Sequence, residues 1–278
     1  KYFYVISNLS KDYVLDVQDE VQSCLEKRGA VCRYMTDYER MKNGRHTPGE
    51  YVPEDTQCII TIGGDGTLIQ AARDLAGRNI PMLGINRGHL GFLNQVDRTE
   101  DIDAAMDALV NERFRLEHRM MLRGTVFHEG KPVFQDIALN EIIATSAEHL
   151  RVLRYDLAVN DEYLNEYAAD GVMVATPTGS TAYNLSAGGP VMAPAGRMMA
   201  VTPVCSHTLN ARSIVISEED RVKIGLLGKG LVTFDGDTSQ KTGPGDYLIV
   251  ERSHMETVMV KLKQISFMQN LSNYLGNV

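Results

Sequence analysis

The sequence predicts an α/β amino-terminal domain with a mostly parallel sheet, followed by a β-rich carboxy-terminal domain of two mostly antiparallel layers. Three observations lead there. Short apolar runs alternate with amphipathic stretches over roughly the first 110 residues, as they do in βαβ units. Near residue 117 the pattern changes to runs that alternate every second residue, with few helical periods between them. The carboxy-terminal segment returns to a helical period.

In chain order, Tyr2 to Ile6 is a buried strand. Val14, Val17, Val21 and Leu25 recur at helical spacing before Gly29, a natural helix stop. Val31 to Met35 is a second strand. Asp37 to Gln57 has turn formers and mixed charge without a clear period, and reads as a long loop holding at most a short helix. Cys58 to Ile62 is the third strand, Leu68 to Leu75 a helix and Pro81 to Ile85 the fourth strand. Ile102, Ala105, Met106, Leu109 and Val110 mark another helix.

Beyond residue 117, Met121 to Phe127 and Val133 to Leu139 flank a hairpin turn at 128–132. Leu153, Tyr155, Leu157 and Val159 alternate up to the Asn160-Asp161 turn. Further strands are expected at 171–176, 213–217, 221–227, 231–235, 246–251 and 257–262. Phe267, Leu271, Tyr274 and Leu275 mark a short terminal helix. The domain division that follows is 1–117 and 118–257, with a short helical tail at 258–278.

Composition excludes several function classes. Of 278 residues, 44% are apolar and 23% charged, so the chain can bury an ordinary core. A formal charge of −8 argues against nucleic acid or an anionic membrane as partner, because both need clustered Lys and Arg. No apolar run approaches the roughly 20 residues of a membrane span, and the opening segment lacks the layout of a secretory signal. A cytoplasmic protein is expected. Cys24, Cys32, Cys58 and Cys205 form no CxxC pair and read as small buried apolar residues in a reducing compartment.

The segment Ile60-Thr61-Ile62-Gly63-Gly64-Asp65-Gly66-Thr67-Leu68 is the most informative in the chain. An apolar strand ends, three glycines surround one aspartate, and a helix begins. Glycines let the backbone approach a ligand, and the N–H groups at the helix start favour a phosphate. A carboxylate among those N–H groups would repel a polyphosphate unless it took a proton or a metal. The plain alternative is a tight turn in which Asp65 caps the helix. Neither GxxxxGK[ST] nor GxGxxG is present.

Asn140-Glu141 follows the strand that ends at Leu139. An amide can bond an adenine edge and a carboxylate can accept from ribose hydroxyls, although a simple turn explains the pair as well. Tyr167 to Pro190 holds Asp170, a buried strand, a Pro-Thr-Gly turn, Ser180 and Thr181 in capping position, and a Gly-Gly-Pro stop. Capping accounts for Ser180 or Thr181 but not for Asp170, Asn184 and Ser186. Tyr183 is a candidate partner for a base.

Gly63 to Thr67 resembles the superfamily of NAD, diacylglycerol and sphingosine kinases and 6-phosphofructokinases. Asp170 to Pro190, with Asn140-Glu141, Gly84 to Leu93, and Pro203 to Leu209 followed by Arg212, closely resembles the NAD kinases alone. Lipid and sugar kinases match only the glycine turn, and a non-catalytic NADP-binding sensor would have no use for Asp65.

The resemblance implies transfer of a phosphoryl group from ATP or polyphosphate to the 2′-hydroxyl of the adenosine ribose of NAD, giving NADP. It implies that Asp65 is the proton acceptor and that Gly63, Gly64, Gly66 and Thr67 hold the donor phosphates. Mg²⁺ would then bridge those phosphates without a ligand set from the protein. Asp65, Gly66, Asn140, Glu141, Arg151, Asp170, Thr178, Thr181, Ala182, Tyr183, Asn184, Leu185 and Ser186 would lie along the dinucleotide. The resemblance also implies that 258–278 return to the first domain, and a homodimer or homotetramer in which a neighbouring subunit can complete the site. Two positions depart from the family. Ala168 stands where many relatives carry a basic residue, and Asp237 where many have Gln. His207 matches a family position for which capping is as good a reading as catalysis, and His46, His118 and His254 have no motif around them.

Overall fold

The computed structural model describes residues 1–10, 12–87, 91–148, 151–207, 210–262 and 266–276. Two compact units form. One comprises Lys1–His118 and Glu256–Val278, the other Arg119–Met255.

The first unit opens with β1 (Tyr2–Ser7), α1 (Val14–Glu26) and β2 (Val31–Tyr34). Then come α2 (Asp37–Asn43), β3 (Cys58–Ile62), α3 (Asp65–Asp74), β4 (Met82–Ile85) and α4 (Ile102–Val110). The strands are parallel in the order β2-β1-β3-β4. Every residue of β3 and β4 is buried, as a strand covered on both faces requires. Val14, Val17, Val21 and Leu25 of α1 join Ile102, Met106 and Leu109 of α4 in a core with Phe3, Val5, Ile60, Leu83 and Ile85. Gly84 faces the other way, and a Cβ there would come within 2.8 Å of Leu68 Cδ1 on α3. The sheet order reverses between β1 and β3. In open α/β sheets that switch point, at the carboxyl ends of the strands, is where a crevice forms.

The long stretch expected as a loop holds a full capping box. Thr36 accepts from the Glu39 N–H and the Glu39 carboxylate accepts from the Thr36 N–H, starting α2. No residue of α2 is buried, so no apolar stripe announced it.

In the second unit the strands are β5 (Arg115–His128), β6 (Lys131–Ala138), β7 (Glu141–Ser146), β8 (Leu153–Val159), β9 (Glu162–Ala169) and β10 (Gly171–Ala175). A short helix α5 (Tyr183–Ser186) follows. Then come β11 (Met198–Val204), β12 (Ile214–Ser217), β13 (Val222–Leu226), β14 (Gly230–Phe234), β15 (Thr238–Thr242) and β16 (Tyr247–Lys261). β5 and β16 carry the chain from one unit into the other. One layer runs β12-β11-β10-β7-β14-β15, and the second contains β16-β13-β8-β9 with the β5–β6 hairpin. Among the described residues, the strand pairings within the unit are antiparallel. Leu122, Val126, Ile142, Tyr155, Val172, Val174, Val201, Ile224, Phe234 and Leu248, among others, fill the core of this unit. Hairpin turns at Glu129-Gly130, Asn160-Asp161 and Asp235-Gly236 have φ > 0 at both central residues, the geometry that suits two-residue connections.

The chain ends in α6 (Phe267–Gly276), which belongs to the first unit. There Met259 of β16 pairs in parallel with Met82 of β4, so the tail does return to the first domain. The cysteine reading needs correction. Cys24 and Cys58 are buried, but Cys32 is half-buried and Cys205 exposed with φ +48°, because Cys205 directly follows β11 in a turn. All four are free thiols.

Candidate functional site

The glycine turn sits at the carboxyl end of β3. Gly63 takes φ +154°, and a Cβ there would strike the Thr67 side chain and come within 3.2 Å of Asn8 Cβ. Gly64 is the N-cap and α3 starts at Asp65, whose side chain does not cap the helix. The carboxylate accepts the Asn94 side-chain amide and the backbone N–H groups of Phe92, Leu93 and Asn94. Gly91 makes room for it, since a Cβ there would collide with both carboxylate oxygens. Burial raises the Asp65 carboxyl above the ordinary carboxylate range, and the bonds from Asn94, Phe92 and Leu93 only oppose that. A buried, more basic carboxylate at a helix start is what a proton acceptor requires.

Beside the same turn lies a cavity of about 580 Å³, lined by Gly64, Gly66 and Thr67 together with the β1 end and the 35–47 segment. It occupies the switch point between β1 and β3. Val5, Leu9 and Met35 give it an apolar wall, Arg40 and Arg45 give it cationic side chains, and His46 adds an imidazole. Among the described residues no carboxylate lines it. Such a cavity has the size and chemistry of a nucleoside polyphosphate site.

In the second unit, Asn140 and Glu141 occupy a tightly held bend between β6 and β7. Asp235 accepts the N–H groups of Leu139, Asn140 and Glu141. From the other side, Thr176 donates its N–H to the Asn140 carbonyl and its hydroxyl to the Leu139 carbonyl. Gly179 packs so closely on the Asn140 backbone that a Cβ would overlap it. The backbone of the bend is thus satisfied, whereas Asn140 Oδ1 and Glu141 Oε2 are buried without a hydrogen-bond partner. Buried polar atoms rarely go unmet, so a pair of them on adjacent residues points to a ligand. Burial, and then the charge of Asp235, pushes the Glu141 carboxyl up to about 8.

The residues after β10 divide into two groups. Asn184 is fully buried, its amide donating to the Ser180 and Pro190 carbonyls and its Oδ1 accepting from Thr202 at 2.7 Å. Thr178 is buried and accepts from Arg119 at 3.1 Å. These two side chains hold the segment together. Tyr183 and Ser186 are exposed, and Thr181, Ala182 and Leu185 half-buried. Ser180 and Thr181 are not helix caps, contrary to expectation. Ser180 is buried, donates to the Pro177 carbonyl and accepts the Met192 N–H, while Thr181 bonds back to the Thr178 carbonyl. α5 has no side-chain cap because it is a single turn entered from a 3₁₀ turn.

Asp170 and Arg151 do not converge with Glu141. Glu141 pairs with Ala175 at one end of β10 and Asp170 precedes the other end, about 17 Å away at 3.3 Å per residue. Leu153 pairs with Ala169, which puts Arg151 at the Asp170 end. Both residues are exposed. Nearby, His207 donates its backbone N–H to the Ala168 carbonyl, a structural contact. Gly88, His89 and Leu90, Thr208 and Leu209, and the Leu275 side chain lie outside the described residues. Sequence reasoning missed Asn94, Asp235 and the cationic residues of the 35–47 segment. None of these carries a motif, although the Thr36 and Glu39 spacing is that of a capping box and could have marked the segment as ordered.

The comparisons with known proteins agree with this geometry. A model of the ATP-NAD kinase N-terminal domain matches residues 4–114, and one of the ATP-NAD kinase C-terminal domain matches residues 139–262. The NAD kinase of Lachnospira eligens is 36% identical, covering 98% of this chain and 99% of its own. That of Agathobacter rectalis is 37% identical, covering 100% and 99%. The crystal structure of yeast NADH kinase complexed with NADH superposes with a TM-score of 0.87 at 21% identity, covering 99% of this chain and 87% of its own. At that identity the likeness shows the fold. Matched in order by both halves of the family model and along its whole length by curated members, the chain belongs to the NAD kinase family.

Proposed function

We propose that the protein transfers the terminal phosphoryl group of ATP to the 2′-hydroxyl of the adenosine ribose of NAD. The observation that carries this reading is the buried Asp65 carboxylate, raised in basicity, at the head of a glycine turn that also lines a cationic cavity. Asp65 accepts the hydroxyl proton. The N–H groups of Gly64 and Gly66 hold the donor phosphates against the positive end of α3, with the Thr67 side chain beside them, since the Thr67 N–H is spent on the Gly64 carbonyl. Arg40 and Arg45 neutralise phosphate charge, and Val5, Leu9 and Met35 take the base. Phosphoryl transfer needs this positioning and neutralisation more than covalent chemistry.

Asn140 and Glu141 offer their unmet atoms to the adenosine part of NAD, and the exposed Tyr183 lies against its base. Thr181, Ala182, Leu185 and Ser186 line the dinucleotide, while Thr178 and Asn184 act through the shape of the segment. Asp170 and Arg151 lie too far from Glu141 to hold the same ribose. We place them against the site of a second copy in a homo-oligomer. Among the described residues no three His, Cys, Asp or Glu side chains are grouped to hold a metal ion. The cavity wall is cationic, so it fits an anion and no metal cage. Mg²⁺ is assigned to the ATP phosphates, where it neutralises charge.

The deciding experiment incubates purified protein with NAD, ATP and Mg²⁺ and follows NADP with an NADP-specific dehydrogenase. Formation of NADP that requires ATP supports the reading. Tight NADP binding without turnover would replace the kinase with a sensor. An arm with inorganic polyphosphate tests the donor.

A further inference from the structure

The cavity beside the glycine turn contains a side-chain cluster that belongs to no motif. His46 lines it, from the segment that follows α2. Its Nδ1 lies 3.1 Å from Asp74 Oδ1 and 3.0 Å from Gln70 Nε2, and Gln70 Nε2 itself donates to Asp74 Oδ1 at 2.9 Å. Asp74 Oδ2 accepts the Thr47 N–H at 2.7 Å. Gln70 and Asp74 are one turn apart on α3, the helix whose first residues form the phosphate-binding turn. The imidazole is therefore clamped through one ring nitrogen to the same rigid element that would hold the donor. The His46 side chain is 46% exposed, against 12% for Asp74.

A carboxylate partner on one imidazole nitrogen sets the orientation of the ring and favours a proton on the other nitrogen when the ring is charged. A neutral ring that accepts from Gln70 at Nδ1 carries its proton on Nε2 as well. A neutral ring that instead donates from Nδ1 to Asp74 leaves Nε2 as an acceptor, so a polyphosphate selects the two forms that carry Nε2–H. Nothing apolar requires a histidine here, because the ring is half exposed. What the wall offers around it is Arg40 and Arg45, two fixed cations on an otherwise acidic chain.

We propose that His46 is a phosphate ligand of the donor site, with Asp74 and Gln70 holding Nδ1 so that the Nε2–H group donates to the polyphosphate of the nucleoside triphosphate. The proposal rests on reading this cavity as the donor site. Asp74 and Gln70 are positioning residues, acting through the ring and, for Asp74, through the Thr47 backbone. The 35–47 segment thereby becomes a second phosphate-binding element, independent of the glycine turn.

Steady-state kinetics on the full chain, varying ATP and NAD separately, test this with three substitutions. Glutamine places an amide nitrogen where Nε2 stands, and asparagine places one where Nδ1 stands. A hydrogen bond to a charged group supports about a tenfold effect. His46→Ala and His46→Asn should raise the KM for ATP about tenfold and leave the KM for NAD unchanged, while His46→Gln stays near wild type. An unchanged ATP KM in His46→Ala overturns the proposal. So does rescue by asparagine in place of glutamine, which would mean that only the bond to Asp74 matters.

Thermal midpoints of all three variants identify any that fail to fold. Should His46→Ala be unstable, calorimetric titration of wild type and His46→Gln against His46→Asn with MgATP carries the same comparison. Gly66→Trp separates this inference from the reading beneath it. Gly66 lines the cavity and a Cβ there meets nothing within 4 Å. If Gly66→Trp leaves MgATP binding intact, the cavity is not the donor site and the underlying reading falls. If it abolishes binding while His46→Ala does not weaken it, His46 alone is misassigned.

Discussion

The carboxylate of Asp235 accepts the backbone N–H of Asn140 at 2.8 Å, and that of Leu139 at 2.6 Å and Glu141 at 3.0 Å. One side chain in the β14–β15 turn therefore shapes the bend that presents the two unmet polar atoms of the dinucleotide half-site. Asp235→Ala would leave three N–H groups without their acceptor, each costing about 1–3 kcal/mol if buried. The expected result is a lower thermal midpoint together with a raised KM for NAD and an unchanged KM for ATP. A stability loss with normal NAD kinetics would show that the bend does not read the dinucleotide.

Glu141 gives a pH signature. Its carboxyl is raised to about 8 by burial and by Asp235, whereas in the unfolded chain it titrates near 4.3. Between these values the folded state binds the extra proton, so stability is full below the unfolded value and falls as pH rises through about 8. Glu141→Gln removes the ionisation and should flatten the decline of the thermal midpoint between pH 5 and pH 8, roughly the window between the two values. A decline as steep as wild type would place the titration elsewhere.

Phe92 links the terminal helix to the base. Its ring lies 5.1 Å from that of Tyr274 and 6.4 Å from that of Phe267, and its N–H donates to the Asp65 carboxylate. An aromatic pair contributes about 0.5–1.5 kcal/mol. Loss of one should loosen the turn and cost roughly 2- to 12-fold in turnover. Tyr274→Ala is expected to lower kcat within that range, and Tyr274→Phe to restore it, because the ring carries the contact. Normal kcat in Tyr274→Ala would leave α6 without a part in catalysis.

Parts of this arrangement were legible in the residues and parts were not, for physical reasons. β3 and α4 have the bounds expected because an unbroken apolar strand and a helical stripe both bury their whole pattern. β15 was missed because Thr238–Thr242 is polar at every position, and β11 because Pro203 interrupts it. β7 was missed because Asn140-Glu141 reads as the end of a strand, when Glu141 begins one. In the site, Asp65 stood out through its glycines. Asp235 and His46 did not, since each acts through a backbone or a partner distant in sequence. Asn184 looked like a ligand contact for the opposite reason. Its motif position hid a side chain spent wholly on Ser180, Pro190 and Thr202.

The distance between Glu141 and Asp170 along β10 makes the assembly testable. If Asp170 serves the site of a second copy, co-expressed Asp65→Asn and Asp170→Asn chains should form mixed oligomers with some intact sites. Activity well above that of either variant alone is expected, with the oligomer confirmed by sedimentation. No recovery from a verified mixed oligomer would return Asp170 to its own chain's site.

Asp65→Asn tests the chemistry most directly. General-base catalysis contributes about 10²–10⁴-fold, so turnover should fall by that order. The turn will not be untouched, because Asp65 accepts from the Asn94 amide and three backbone N–H groups. Asparagine offers one oxygen and places an amide among donors, so some loss of stability is expected as well. The double substitution Asp65→Asn with Asn94→Asp restores a donor–acceptor pair while moving the carboxylate to position 94. If Asp65 is the proton acceptor, the double variant should regain stability but not turnover, and added Mg²⁺ should do little for either. Recovery of turnover along with stability would reduce Asp65 to an anchor for residues 91–94. Rescue by Mg²⁺ alone would make it a metal ligand. In the wild type, the raised Asp65 carboxyl should place the acid limb of the kcat profile above the ordinary carboxylate range, with activity lost as pH falls through it.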